Sequence, residues 1–139
     1  TERDRLLTKI RQTGFVLDDL TLYLDTHQDD REAAQLYREK SREKEDFYAS
    51  LALSVLRRNR DGEALCRYLY EDVSVAHKTG GLDGIEHDAG LIEREGDSYF
   101  LGVFVSEFEE SDKMSQEAQK LIGRISRMVF ESRPERPQF

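Results

Sequence analysis

The sequence predicts an α+β protein: two N-terminal helices, a short helix, a three-stranded antiparallel sheet, and a C-terminal helix packed on the sheet. Three observations carry that prediction. Apolar residues recur at helical spacing from Leu6 to Val55, the period falls to two after residue 72, and helical spacing returns after Ser115.

The first helix presents Leu6, Ile10, Leu17, Leu20 and Leu24 at three-, four- and seven-residue intervals, which places them on one face. Gly14 lies inside it, a weak point that costs about 1 kcal/mol relative to Ala. Thr26-His-Gln-Asp-Asp30 supplies turn and cap residues, with His27 as one of them, and Arg31-Glu-Ala-Ala opens the second helix. Its apolar positions are Ala33, Tyr37, Tyr48, Leu51 and Val55, and the charged run from Arg38 to Asp46 reads as a solvated face. Arg57–Arg60 reads as its basic last turn and Asp61-Gly62 as the stop.

Val73, Val75 and His77 then alternate with Ser74, Ala76 and Lys78, as in a strand. A glycine-rich connection (Gly80, Gly81, Gly84) leads to a second strand near His87–Arg94, and Glu95-Gly96-Asp97 is a hairpin signal. The third strand, Ser98–Glu107, sets Tyr99, Leu101, Val103 and Val105 on one face and Phe100, Gly102 and Phe104 on the other. Both faces are apolar, which predicts cover on both sides. The last helix begins near Ser115, with Asp112 and Glu117 at its positive end, and buries Ala118, Leu121, Ile122, Ile125 and Val129. Arg133–Phe139 holds two prolines and reads as a frayed tail.

The chain has 139 residues and a net charge of −8, and neither half is basic, which argues against nucleic acid and against an anionic membrane surface. No apolar run is long enough to span a bilayer, and no signal-peptide pattern opens the chain at Thr1, so the expectation is a soluble protein of open compartment. The single cysteine, Cys66, excludes an intramolecular disulfide and sits among apolar neighbours, where a small buried hydrophobe is the simpler reading. No H-x3-H or H-E-x-x-H spacing points to a metal, and no cofactor is expected. His77 and His87 flank the same stretch; facing each other across a ladder is one option and packing the simpler one.

Three features in order carry a family resemblance: Val75-Ala-His-Lys-Thr-Gly80 at a strand end, Gly84-Ile-Glu-His-Asp-Ala-Gly90 running into the next strand, and Tyr99-Phe-Leu-Gly-Val-Phe-Val105 followed by Leu121–Phe130. Residues 53–139 thereby resemble the C-terminal half of class A β-lactamases and related penicillin-recognising serine hydrolases. The resemblance implies that Lys78 attracts a substrate carboxylate, that Thr79 donates a hydrogen bond to it, that Gly80 admits close approach, and that the Gly81 N–H serves an oxyanion hole. The implied ligand is a β-lactam or peptide carboxylate.

The resemblance also implies a Ser-x-x-Lys nucleophile and a Ser-Asp-Asn loop upstream. Ser41-Arg-Glu-Lys44 matches the first formally, but 37 residues before Lys78 and inside a charged helix, where such matches arise by chance. Ser111-Asp112-Lys113 follows the Lys-Thr-Gly triplet and lacks the Asn, and reads as a helix-leading loop. The expectation is therefore a non-catalytic relative; were it active, it would be a serine acyl hydrolase.

A second resemblance lies upstream. Phe15-Val-Leu-Asp-Asp-Leu-Thr-Leu-Tyr-Leu-Asp-Thr-His27 is similar to the small spore-coat protein JB family, with Gln28 where that family has proline. It implies a coat-assembly role for residues 1–52, acting through the helices. A natural fusion, an engineered chimera and an incomplete sequence would each join two such segments near residue 50. The half-domain pattern also predicts a homo-oligomer through the free edge of strand 98–106, or a helix laid over that edge.

Overall fold

The computed structural model describes residues 1–94 and 96–133. Its elements are α1 (Glu2–Thr26), α2 (Arg31–Leu56), β1 (Ser74–Leu82), β2 (Ile85–Glu93), β3 (Tyr99–Ser106) and α3 (Asp112–Ser132). They form two compact units, Thr1–Ser54 and Val55–Phe139. The α+β arrangement is the one the sequence predicts.

In the first unit α1 starts at a capping box. The Thr1 hydroxyl accepts from the Asp4 N–H and the Asp4 carboxylate accepts from the chain's amino terminus, which satisfies donors that the first turn leaves unpaired. Gly14 does not break the helix. It makes room for the neighbouring helix, since a Cβ there would lie 3.3 Å from the Lys44 Nζ. The two helices run antiparallel, with the Lys9 ammonium over the Phe47 ring and the Tyr23 hydroxyl donating to Asp30 at 3.0 Å. Asp30 in turn accepts from the Ala33 N–H and caps α2, while the His27 ring stacks on Tyr23 and ends α1.

The apolar stripe of α1 points inward as expected, with Ile10 and Leu17 buried beside Thr13. That of α2 does so only in part. Ala33 and Leu51 are half-buried while Tyr37, Tyr48 and Val55 are exposed, and Lys40, Ser41, Glu43, Lys44 and Phe47 are half-buried as well. The charged run is thus no simple solvated face. Its long aliphatic stems cover the groove beside Thr13 and Val16, and Lys40 pairs with Glu43 at 2.6 Å. The helix also stops at Leu56, before Arg57–Arg60, where Arg58 and Asn59 make turn hydrogen bonds to Val55 and Leu56.

In the second unit, the expected short helix is a run of turns. Arg67 N–H donates to Ala64 and Leu69 N–H to Cys66, each three residues back, and no helical ladder forms. The sheet has the order β1-β2-β3, antiparallel throughout. Leu82 pairs with Ile85, so the β1–β2 connection is only Asp83-Gly84, and Gly84 takes the left-handed φ of +69° that such a turn needs. Gly80 and Gly81, expected in the connection, belong to β1. Of the β2–β3 turn signal, Glu95 lies outside the described residues, and the Asp97 N–H donates to the Arg94 carbonyl.

Register decides the core. Val75, Ile92 and Tyr99 sit on the same face, and α3 covers them with Ala118, Ile122 and Phe130, joined by Ala64 and Leu65 from the turns. α3 starts earlier than expected, because Ser111 caps it by accepting from the Met114 N–H at 3.2 Å. Its inner face is also rotated: Gly123, Ser126 and Phe130 are buried while Leu121 is 45% exposed. Gly123 sets that rotation, since a Cβ there would lie 2.9 Å from the Ala64 carbonyl oxygen. Cover on both sides of β3 is not found, for Phe100 and Phe104 are 72% and 71% exposed. Arg133, expected in a frayed tail, is held by a bidentate pair with Asp97 at 2.7 Å and lies over the Tyr99 ring; residues 134–139 are outside the described ones.

The rotation of α3 separates two leucines that the sequence does not rank. Leu65→Ala, at a fully buried site, should cost about 2–5 kcal/mol in urea unfolding, whereas Leu121→Ala should cost under about 1 kcal/mol.

Candidate functional site

The Lys-Thr-Gly segment occupies the second half of β1, which is an outer strand of the sheet. Lys78 pairs with Ala89, Thr79 with Asp88, Gly80 with His87 and Gly81 with Glu86. An antiparallel strand turns the N–H and C=O of alternate residues to the same side. Two contacts fix which side. The Asn59 amide donates to the His77 carbonyl at 3.3 Å, and the exposed Lys78 ammonium donates to the Thr79 carbonyl. The backbone groups of His77, Thr79 and Gly81 therefore point away from β2, to the edge. Asn59 occupies that edge at His77, and the Thr79 and Gly81 positions follow it.

The two faces of this segment differ. On the outer face, Gly80 lies beneath the His87 ring: a Cβ at position 80 would fall 2.2 Å from His87 Nε2. That ring is 5.4 Å from Phe104, so the glycine is required by the cross-strand histidine. On the inner face lies His77, beside Thr79. His77 and His87 thus occupy opposite faces and do not meet across the ladder.

Behind the edge is a buried polar network. His77 Nδ1 is 2.9 and 3.0 Å from the two oxygens of Asp88, and neither residue reaches solvent appreciably. Asp88 Oδ2 also accepts from the Leu65 N–H at 3.0 Å. His77 Nε2 lies 3.5 Å from Cys66 Sγ. Gly90, opposite His77 in the ladder, leaves the space for this crossing, since a Cβ there would lie 2.5 Å from that of His77. The Asp88 carboxylate, and secondly Cys66, push the His77 pKa up to about 10 against the opposing effect of burial. At neutral pH the ring is an imidazolium that donates from both nitrogens.

Lys78, Thr79, Gly80 and Gly81 are thereby contiguous on one strand edge. Ser41 and Lys44 belong to the other compact unit; both are half-buried on α2, and no hydrogen bond joins them among the described residues. Ser111 is the helix cap that its position before α3 suggests. Cys66 is half-exposed and bonded to an imidazole, where sequence neighbours suggest a buried apolar group. The only signal for this network is the strand register that sets Asp88 diagonally from His77, and the sequence does not contain that register.

A raised His77 pKa has a pH consequence of definite sign. The group binds its proton more tightly folded than unfolded, so its contribution to stability is complete below about pH 6.5, the unfolded value, and is lost as pH rises toward about 10. Urea midpoints should fall across that window, and His77→Gln should flatten the fall.

Sequence and structure comparisons relate the fold to known proteins. No curated protein matches the chain. A solved β-lactamase from Chitinophaga pinensis is 25% identical over 60% of this chain and 33% of its own, with a TM-score of 0.53. The extended-spectrum β-lactamase TLA-1 is 26% identical over 62% of this chain and 33% of its own, with the same TM-score. PBP-A shares the fold at 21% identity and a TM-score of 0.50, over 60% of this chain and 32% of its own. The chain spans about a third of the length of these solved structures. Residues 4–52 match the model of the CotJB protein family, and residues 34–132, the greater part of the chain, match that of the β-lactamase enzyme family. The chain therefore belongs to the β-lactamase enzyme family and carries a CotJB-like segment at its N-terminal end.

Proposed function

We propose that residues 55–133 provide a carboxylate-binding edge of the penicillin-recognising type, used without a catalytic serine of their own. The observation that carries this reading is the β1 edge. The Lys78 ammonium folds back over Thr79, and the Thr79 and Gly81 backbone groups face the same side. An ammonium and two outward N–H groups within four residues suit an anionic, planar carboxylate. The only Ser-x-x-Lys arrangement, Ser41–Lys44, is in the other unit and lacks a hydrogen bond between its members. Without an activated serine, binding ends in a reversible complex.

Titration of the protein with benzylpenicillin should give weak, reversible binding, and Lys78→Ala should weaken it about tenfold or more, as loss of a charged hydrogen bond does. Mass spectrometry should find no acyl adduct. An adduct mapped to Ser41 would sink the non-catalytic reading.

A second reading is self-assembly, favoured by the apolar surface that both units leave in solvent. The first exposes Phe15 and Leu22, and the second exposes Phe100 and Phe104 on β3, the other outer strand of the sheet. The CotJB-like segment fits an assembly component, and β3 offers strand pairing to a second copy. Sedimentation should give a particle larger than the 16.2 kDa chain. Phe104→Pro, at a position whose N–H faces away from β2, should reduce it if β3 pairs, and Leu22→Ser if the helices do; a monomer at every concentration excludes this reading.

A further inference from the structure

The network behind the edge contains a nucleophile that the carboxylate-binding reading leaves unused. Cys66 Sγ, His77 Nε2, His77 Nδ1 and the Asp88 carboxylate form one continuous relay, with steps of 3.5 Å and 2.9 Å. The same carboxylate accepts from the Leu65 N–H, the residue before the cysteine, so a single buried group fixes both the imidazole and the turn that presents the sulfur. A cationic donor oriented by a third group, and itself within reach of a sulfur, is an arrangement that favours the thiolate.

Access distinguishes this sulfur from a structural one. Cys66 is half-exposed and lines an open cleft of about 300 Å³ with His77, Asn59, Arg60, Asp61 and Ser74. The charged groups around the sulfur are therefore His77 backed by Asp88, the guanidinium of Arg60, the carboxylate of Asp61, and Arg57, which is held by Glu93. The guanidinium of Arg60 lines the same cleft as the sulfur and offers an anionic group a pair of parallel donors.

We infer that Cys66, His77 and Asp88 form a thiol-exchange site that accepts small disulfides bearing carboxylates. The Cys66 thiolate, paired with the His77 imidazolium, attacks one sulfur of the substrate. The new Cys66 S–S bond forms as the substrate S–S bond breaks, and the departing thiolate takes the bonding electron pair and then a proton from solvent. Cys66 is oxidised, the departing sulfur is reduced, and no other oxidant enters. His77 is a catalytic residue for this step, because it touches the reacting sulfur, and Asp88 is a positioning residue. The inference does not depend on the carboxylate edge of β1 and stands if penicillin fails to bind.

Cys66 is the only cysteine, so every thiolate released reports on it. Dithionitrobenzoate, an aromatic disulfide with two carboxylates, serves as the probe at about pH 6.5, where an ordinary thiol is mostly protonated. The native protein should release one thiolate per chain at least about tenfold faster than the same protein unfolded in guanidinium. A structural cysteine shows the reverse order, and a native rate below the unfolded one overturns the inference. His77→Gln should bring the native rate down to the unfolded one, and an unchanged rate in a folded variant overturns the role of His77. If that variant does not fold, the native-to-unfolded ratio of the unaltered chain decides alone. Dithionitrobenzoate should be favoured over the cationic disulfide cystamine in the native protein relative to the unfolded, and the lack of such a preference overturns the anionic substrate class; Arg60→Ala should remove the preference, and one that persists overturns the role of Arg60.

Discussion

Asp88 is shut off from water, and its carboxylate is shared between the His77 imidazole on β1 and the Leu65 N–H in the turns before it. A carboxylate left unpaired in such a place costs several kcal/mol, so the arrangement that pairs it is strongly selected over its neighbours. A slip of β1 by one residue would carry His77 to the outer face and leave Asp88 without its partner. The same slip would bury Lys78 and turn the backbone groups of Thr79 and Gly81 toward β2. The polar network therefore fixes the register on which the Lys-Thr-Gly edge depends.

The glycines of the sheet unit follow from this constraint. Gly90 lets His77 cross the ladder to reach Asp88, and Gly80 lies under His87 on the opposite face. Each of the two histidines thus has a glycine as its cross-strand neighbour. The loss of a side chain weakens a strand, and here that loss makes room for two aromatic rings in a sheet of only three strands. Gly123 does the same for α3, where it admits the Ala64 carbonyl and sets which side of the helix faces the core.

The N-terminal helices obey a different logic. Their contact is made of side chains with charged ends: Lys9 over Phe47, Lys44 against Gly14, Lys40 paired with Glu43. Apolar stems fill the groove while the charges stay in water, and large apolar groups such as Phe15, Leu22 and Tyr48 remain outside. The two family matches overlap on residues 34–52, within α2, a single unbroken helix. The join between the two resemblances is therefore not a linker.

The sequence by itself determined the α+β class, the order of the two long helices, three strands and last helix, and the placing of Lys78-Thr79-Gly80 in a strand, because periodicity and turn residues act over a few neighbours; the short helix it also predicted is a run of turns. It also contained the family resemblance, since Val75–Gly80 and His87–Gly90 are local strings. Which face each element buries was decided only by tertiary structure. The core side of α3 turned on a carbonyl from residue 64, the solvent-facing Phe100 and Phe104 on the absence of a layer over them among the described residues, and the charged inner side of α2 on the stems of lysines. The Cys66–His77–Asp88 relay lay beyond the sequence for the same reason. Its members are 11 residues apart at each step, and only the pairing of β1 with β2 and one backbone hydrogen bond from Leu65 bring them together.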